Sequence, residues 1–253
     1  MQTLQMSLKS HSMEIKIATC SFQGGRNYNE DSVLITEKDG AYAVIVADGL
    51  GGHGGGEEAS SMVAGDITQL FFENPNTDPA AIQSIFKKVN SNVLSKQTPQ
   101  LLMRSTGICL FMKDNCFIWA HVGDSRLYHF YNDRLLTHTL DHSVSQVAVL
   151  SGEITQEEIR SHIDRNKVTR AFGGNDDINA EVSPPLMPGP GDHVFLLCTD
   201  GFWEYVFEQE MELDLSKCKE PGSWLDAMCA RINRRAPSNN DNFSAAAVFC
   251  RID

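Results

Sequence analysis

The sequence is poor in basic residues and lacks the motif of a nucleotide-binding loop. Its 253 residues include 21 Lys and Arg against 33 Asp and Glu, which gives a formal net charge of −12. Because nucleic acids are bound through clustered Lys and Arg, this balance disfavours a nucleic-acid partner. The Gly-Lys-Ser/Thr string of a P-loop is also missing, which excludes that kind of nucleotide site.

Cysteine motifs and long apolar runs are missing as well. The seven cysteines form no Cys-x-x-Cys pair and are odd in number, which argues against a disulfide framework and a zinc site. Residues 1–12 are polar and contain no apolar leader segment. We therefore expect neither a signal peptide nor a membrane anchor, no membrane partner, and a cytosolic protein.

Strand-like and helix-like patterns alternate in blocks along the chain. Two blocks rich in β-branched and aromatic residues flank a pair of amphipathic helices, which predicts an α+β fold with two antiparallel sheets clad by helices. A chain of this length can form one domain with a large core. The predicted elements are strands over residues 15–50, strands over 107–116 and 117–131 joined as a meander, and helices over 57–72, 79–93 and 224–233.

Acidic residues, in contrast, recur at the edges of apolar runs. The run 43–47 has the length and β-branched content of a buried strand, so Asp48 should emerge where a sheet meets solvent. Carboxylates gathered at such an edge would repel each other unless a hard divalent ion took up their oxygens. Taken singly, a pair such as Asp48-Gly49 or Asp200-Gly201 is more often an ordinary turn at a strand end. The acidic residues in such positions are Glu30, Asp31, Asp48, Asp124, Asp200 and Asp241.

Five strings contain these residues. They are Arg26-Asn27-Tyr28-Asn29-Glu30-Asp31, Val46-Ala47-Asp48-Gly49-Leu50-Gly51-Gly52-His53, Val122-Gly123-Asp124-Ser125-Arg126, Leu197-Cys198-Thr199-Asp200-Gly201 and Asp241-Asn242. In this order they resemble the metal-dependent Ser/Thr protein phosphatases, the PPM or type 2C family, and most of all its short bacterial members. Residues 168–173 are similar to the family's Thr-Arg-x-x-Gly segment, so the resemblance runs from about Ile17 to Arg251. Leu50 and Ser244 depart from the usual Met and Thr.

The resemblance implies a four-layer α-β-β-α sandwich with the metal centre at one end. It implies one phosphatase domain over residues 15–253, after an N-terminal extension over 1–14. Residues 143–167 would form a mobile flap beside the active site that helps to select substrates, with a helical run over 145–151. Thr155 and Glu158 are spaced as a capping box. The alternative for this stretch is a plain helical hairpin on the surface.

The resemblance also implies two Mn²⁺ or Mg²⁺ ions. A water held between them would attack phosphorus directly, without a phosphoenzyme. The implied ligands are Asp48 as the bridging carboxylate, the Gly49 carbonyl, Asp200 and Asp241, with Glu30 and Asp31 in support and Asp124 joining Asp200 around a third, weaker ion. The alternative for Asp124 is that it caps a turn with Ser125.

Two further residues have implied roles in catalysis. Arg26 is the candidate clamp for the phosphoryl group, because a guanidinium can hold two oxygens with parallel hydrogen bonds. Its alternative is a salt bridge to Glu30 or Asp31. His53 is the candidate general acid, and its alternative is a hydrogen bond to a carboxylate near the metals.

These features predict a monomeric phosphatase for phosphoserine and phosphothreonine in proteins that opposes a bacterial Ser/Thr kinase. One alternative is a regulatory pseudophosphatase that binds partners without turnover. Retention of every acidic motif argues against it, since a binding module has no physical reason to keep carboxylates that repel each other. A nuclease would need a basic groove, of which the composition shows no sign.

Overall fold

Two antiparallel sheets form the centre of the protein. The computed structural model describes residues 13–51 and 55–253, together with the backbone of residues 6–10. The strands are β1 (Met6–Ser10), β2 (Met13–Phe22), β3 (Asp31–Lys38), β4 (Ala41–Asp48), β5 (Gly107–Lys113), β6 (Cys116–Val122), β7 (Arg126–Tyr131), β8 (Arg134–His138), β9 (Glu181–Val182), β10 (Gly191–Cys198) and β11 (Phe243–Ile252). One sheet has the order β1-β2-β11-β10-β7-β8 and the other β3-β4-β5-β6-β9.

The strands of each sheet bury both faces. In β4, Val44 and Val46 belong to the apolar cluster between the two sheets, together with Phe195 and Leu197 of β10. Ile45, one residue along, belongs to the cluster on the opposite face of its sheet. Because successive side chains of a strand point to opposite faces, an unbroken apolar run is what such a doubly covered strand requires.

Helices cover the outer face of each sheet. They are α1 (Gly55–Glu73), α2 (Pro79–Lys96), α3 (Val144–Leu150), α4 (Asp200–Trp203), α5 (Glu208–Leu215) and α6 (Pro221–Arg235), with a short 3₁₀ helix at Glu157–Ser161. Ile67 and Phe86 of α1 and α2 pack against the five-stranded sheet, and Trp203 and Trp224 of α4 and α6 pack against the six-stranded one. The predicted four-layer α-β-β-α sandwich is thereby confirmed.

Local signals placed several boundaries correctly. The Asp78 carboxylate accepts a hydrogen bond of 3.0 Å from the Ala81 N–H at the start of α2, with Pro79 in the first turn. The hairpin turn after β5 places Asp114 and Asn115 at φ 50° and 57°, the left-handed pair that a two-residue hairpin needs. In the described part of the chain, no helix is long and apolar enough to cross a membrane.

The predicted meander through residues 107–131 is wrong in its second half. β5 and β6 pair as a hairpin, but β7 lies in the other sheet, beside β10. The chain crosses between the sheets at residues 123–125, where Gly123 has φ 104°. A Cβ there would lie 2.5 Å from the Thr106 side chain, so this crossing requires glycine. It places Asp124 at the end of the sandwich instead of along its side.

The segment predicted as a flap contains two short helical turns. α3 begins after Ser143, whose hydroxyl accepts a 3.2 Å hydrogen bond from the Gln146 N–H. One half of the predicted capping box is present, because the Thr155 N–H donates to the Glu158 carboxylate at 2.7 Å. The Glu158 N–H bonds the Thr155 carbonyl instead of its hydroxyl. The role of this segment in substrate selection stays a prediction.

Candidate metal centre

Five of the predicted acidic residues meet at one end of the sandwich. Asp31 begins β3 and pairs in register with Asp48, which ends β4. Asp200 follows β10 and Asp241 precedes β11, at the end where Cys198 pairs with Ala245. Asp124 lies at the crossing between the sheets. Four chain segments that are distant in sequence therefore bring their carboxylates together.

Burial and mutual repulsion act on these carboxylates in the same direction. Burial, followed by the charges of neighbouring carboxylates, raises the pKa of Asp200 to about 7. Burial and the charge of Asp200 also raise the pKa of Asp31 to about 7, although hydrogen bonds from Ser244 and Thr199 oppose the shift. The pKa of Asp48 and of Asp124 is raised well above the usual range by burial first and by neighbouring carboxylates second. Such a cluster costs free energy at neutral pH unless a cation compensates it.

Two buried carboxylate oxygens lack a hydrogen-bond donor in the part of the chain that the structure describes. Within the described residues, Asp31 Oδ1 and Asp124 Oδ1 have no hydrogen-bond partner. A buried oxygen without a donor is costly. Oxygen donors crowded together, with lone pairs left over, are the chemistry that a hard dication such as Mg²⁺ or Mn²⁺ prefers. The residues present therefore fit such an ion.

Close backbone packing brings Glu30 and Gly49 to the same place. The Gly49 N–H donates to the Glu30 carbonyl at 3.1 Å. A Cβ on Gly49 would lie 2.2 Å from the Gly56 carbonyl oxygen, and a Cβ on Gly56 would lie 2.5 Å from Glu30 Oε1. Burial raises the pKa of Glu30 as well. These glycines let the start of α1 pass close to the acidic cluster.

Arg26 lies beside the cluster, with a different partner from the one expected. Its Nη2 donates to Asp241 Oδ2 at 2.6 Å, and its side chain is 55% exposed. The alternative predicted from sequence, a salt bridge to Glu30 or Asp31, is wrong. The observed partner is Asp241, because the turn at residues 23–26 packs on the segment before β11. The Gly25 N–H donates to the Asn240 carbonyl at 2.9 Å in the same contact.

Asn242 and Thr199 both organise the site, although the motifs that contain them indicate no role for either. The Asn242 side chain donates to the carbonyls of Gln23 and Tyr28 at 2.7 and 2.8 Å and accepts from the Glu30 N–H at 2.9 Å. The Thr199 hydroxyl donates to Asp31 Oδ2 at 3.0 Å. Both directly adjoin a predicted acidic residue, which is the signal that could have identified them.

A buried ion pair behind Asp124 was also missed. Arg126 is 1% exposed and donates two hydrogen bonds, of 2.7 and 2.8 Å, to the Asp141 carboxylate. Its guanidinium stacks on the Trp203 ring, 3.6 Å from the ring centroid. The Trp203 indole N–H in turn donates to the Asp124 carbonyl at 2.9 Å. The ion pair therefore supports the turn that carries Asp124. The Ser125 hydroxyl, expected from sequence as a possible cap partner of Asp124, bonds Thr106 at 2.7 Å instead.

Two further sets of side chains bear on the site: the predicted His53, and a group of two histidines and one glutamate that the sequence did not predict. His53 lies outside the described residues. His121, His142 and Glu181 place ligand atoms within 4.8 Å of one another, but His142 Nδ1 already accepts the Gly123 N–H, and the Arg170 guanidinium lies 3.2 Å from His142 Nε2. Because that guanidinium would repel a cation, we interpret this group as a hydrogen-bonded cluster.

The acidic cluster predicts an unusual dependence of stability on pH. In a chelator, the free energy of unfolding is expected to fall as pH rises from about 6.5 to about 8, because the folded protein holds protons on Asp31 and Asp200 that the unfolded chain has released. His121 and His129, whose pKa burial lowers to about 4, act in the opposite sense, but only below about pH 6.5. Urea denaturation with EDTA measures the trend. Saturating Mn²⁺ should abolish it, and a flat profile in EDTA would contradict the raised pKa values.

Comparisons with known proteins agree with this geometry. The family model of protein phosphatase 2C matches residues 24–239. The Ser/Thr phosphatase stp of Listeria innocua is 30% identical over 224 residues, which are 85% of this chain and 88% of that protein. PstP of Mycobacterium tuberculosis is 33% identical over 191 residues, 73% of this chain and 35% of that protein.

Solved structures are similar over almost the whole chain. The catalytic domain of PstP, in complex with two manganese ions, has a TM-score of 0.81 and 26% identity, with 96% of this chain and 100% of that chain covered. MsPP of Mycobacterium smegmatis, in complex with cacodylate, has a TM-score of 0.78 and 25% identity, with 92% and 97% covered.

Proposed function

The chain belongs to the protein phosphatase 2C family, and from this membership we propose that it is a metal-dependent hydrolase of phosphoserine and phosphothreonine in proteins. The protein Ser/Thr phosphatase class is that of its relatives. The observation that carries the metal dependence is the buried carboxylate cluster, two of whose oxygens have no hydrogen-bond partner among the described residues. A regulatory pseudophosphatase that only binds partners would have no physical reason to keep buried carboxylates that repel each other without a cation.

The manganese in the PstP structure supports the identity of the ions. When bound, two Mn²⁺ or Mg²⁺ ions supply positive charge for the phosphoryl oxygens and a more acidic water for attack on phosphorus. The residues we propose to hold them are Asp48, the Gly49 carbonyl, Asp200 and Asp241, with Glu30 and Asp31 in support and Asp124 beside Asp200 for a third, weaker ion.

Arg26 is the residue we propose to hold the phosphoryl group of the substrate. Its guanidinium can donate two parallel hydrogen bonds to an oxyanion, and it lies at the exposed edge of the cluster, against Asp241. The cacodylate in the M. smegmatis structure is a tetrahedral oxyanion and supports an oxyanion site in this family. Asn242 contributes by holding the backbone on both sides of Arg26.

The remaining roles stay predictions. His53 is the proposed donor of a proton to the departing Ser or Thr oxygen, a step that imidazole chemistry suits near neutral pH. Phosphoserine and phosphothreonine are products of Ser/Thr kinases, so the proposed partner is a phosphoprotein supplied by such a kinase. A cytosolic location and a monomeric state are part of the same proposal.

Phosphate release from a phosphothreonine peptide tests this function. We expect release by the purified full chain with Mn²⁺ and none with EDTA. Arg26→Ala should lower kcat/KM about 10- to 100-fold, since a charge-assisted hydrogen bond contributes about 1.5–3 kcal/mol. Binding of Mn²⁺, followed by calorimetry, should be retained because the proposed ligands remain.

Arg251→Ala is the matched control, because it removes an exposed arginine that pairs with Asp192 far from the cluster in the sheet. It should leave kcat/KM unchanged. Equal activity of Arg26→Ala and the wild type would reject the clamp. A folded wild type that binds Mn²⁺ but releases no phosphate would reject the hydrolase and favour the regulatory pseudophosphatase.

A further inference from the structure

Two cysteines from distant parts of the chain meet beneath the six-stranded sheet. The Sγ atoms of Cys20 on β2 and Cys229 on α6 lie 3.6 Å apart. Cys20 is half-buried, and Cys229 is 7% exposed. The phosphatase chemistry proposed above uses neither thiol.

The packing of α6 on the sheet produces this contact. Cys20 pairs in register with Ala245 of β11 and packs against the apolar cluster to which Cys229 belongs. A disulfide needs its sulfur atoms about 2.05 Å apart. Two sulfurs already in van der Waals contact need to approach by only about 1.5 Å, a distance that side-chain rotation and small shifts of α6 can cover.

We propose that Cys20 and Cys229 form a redox modification site, which a peroxide converts to an intrachain disulfide. A thiol of the pair loses its proton, and the resulting thiolate attacks hydrogen peroxide. The O–O bond breaks, a sulfenic acid forms, and the released hydroxide takes up that proton and leaves as water. The second thiol then attacks this sulfur, an S–S bond forms, and a second water leaves. The two thiols lose two electrons in total, and one peroxide gains them.

The surroundings of the thiols set the speed of this oxidation. The hydrogen bond with Cys229, and then burial, raise the pKa of Cys20 well above the usual range, and Cys198 of β10 adds to the shift. Because the thiolate is the reactive form, oxidation is slow at neutral pH and faster in alkaline solution. The site therefore responds to sustained oxidation, and brief exposure to peroxide leaves it reduced.

The cross-link would join the two segments that lead to the carboxylate cluster. β2 ends at Phe22 and continues to Arg26, while α6 ends at Arg235 and continues to Asp241. Those continuations contact each other through the pair between Arg26 and Asp241. A disulfide would fix the distance between β2 and α6, the two elements from which these continuations extend.

Peptide mapping of the full chain tests the site. The protein is treated with hydrogen peroxide at pH 8.5, its remaining thiols are blocked with iodoacetamide, and the digest is analysed by mass spectrometry. We expect a linked pair of peptides containing Cys20 and Cys229, which dithiothreitol separates. Cys20→Ser should abolish the linked pair.

Cys218→Ser is the matched control, because Cys218 is also half-buried but lies in the loop three residues after α5, outside this contact. It should leave the linked pair in place. Wild-type protein whose Cys20 is oxidised to sulfinic acid without any link to Cys229, or which forms only links between molecules, would overturn the proposal. The mapping does not depend on catalysis, so its result is separate from the test of phosphate release.

Discussion

Asp48→Asn is expected to lower phosphate release by more than about 100-fold and, at the same time, to stabilise the protein in a chelator. Outer partners of metal ligands typically contribute 10- to 100-fold to affinity or activity, so loss of the proposed bridging carboxylate should exceed that range. The amide keeps the size of the side chain but removes its charge. A loss of activity would therefore result from the lost carboxylate charge, because the amide retains the packing of the side chain.

The gain in stability has a separate cause. Asp48 is buried and faces the carboxylates of Asp31 and Asp200, and both effects raise its pKa. Removing one negative charge from this cluster relieves the repulsion at neutral pH. In Mn²⁺ the order should reverse, because the wild type gains about 2.7 kcal/mol from an ion present at 100 times its dissociation constant, and the variant gains less.

Thermal unfolding of both proteins, in EDTA and in Mn²⁺, measures this reversal alongside phosphate release. Asp39→Asn is the matched control: it makes the same change at an exposed turn residue with φ 52°, a conformation that Asn tolerates. It should change neither activity nor the effect of Mn²⁺. A fully active Asp48→Asn variant would remove Asp48 from the metal centre.

The strand ends that carry Asp48 and Asp200 could be predicted from sequence, and the partners across the site could not. Asp48 and Asp200 follow apolar runs, and such runs become buried strands because little else satisfies four or five consecutive β-branched or large apolar residues. The direction of the chain after β6 depended on one glycine, Gly123, whose φ of 104° no periodicity reveals. The sequence predicted that Asp124 follows the end of a strand, but it did not predict that the chain crosses there to the other sheet.

Contacts between distant segments carry no local signal at all. From sequence, the alternative partners of Arg26 are its neighbours Glu30 and Asp31, whereas Asp241, 215 residues away, accepts its hydrogen bond.

Arg126 belongs to one of the motifs, but the sequence does not predict that it is buried, because arginine is rarely fully buried unless it is paired. Its burial depends on Asp141, and only the three-dimensional structure shows that pairing.

Asp141→Asn is expected to destabilise the protein by about 3–5 kcal/mol, the cost of leaving a buried charge without its partner. Arg126 cannot lose its proton to escape the penalty. Glu208 lies 4.0 Å from the same guanidinium and compensates part of its charge, although it also accepts a 2.8 Å hydrogen bond from Arg160. We therefore expect a loss of stability toward the lower end of this range. Urea denaturation in EDTA measures the change without a contribution from bound metal.

Asp192→Asn is the matched control, since it breaks the exposed pair with Arg251 and should cost less than about 1 kcal/mol. A second comparison separates charge from packing. The double variant Arg126→Met, Asp141→Leu removes both charges and keeps most of the volume, so it should recover much of the stability lost in Asp141→Asn.

Recovery of stability in the double variant should not restore the metal centre. Trp203 stacks on the Arg126 guanidinium while its indole N–H holds the Asp124 carbonyl, and methionine offers that ring neither a planar face nor a charge. We therefore expect Mn²⁺ binding by the double variant, measured by calorimetry, to stay weaker than in the wild type. Wild-type affinity in a stable double variant would mean that the ion pair serves folding alone. Weakened affinity would mean that this sequence keeps a costly buried charge because its stacking on Trp203 fixes the turn that carries Asp124.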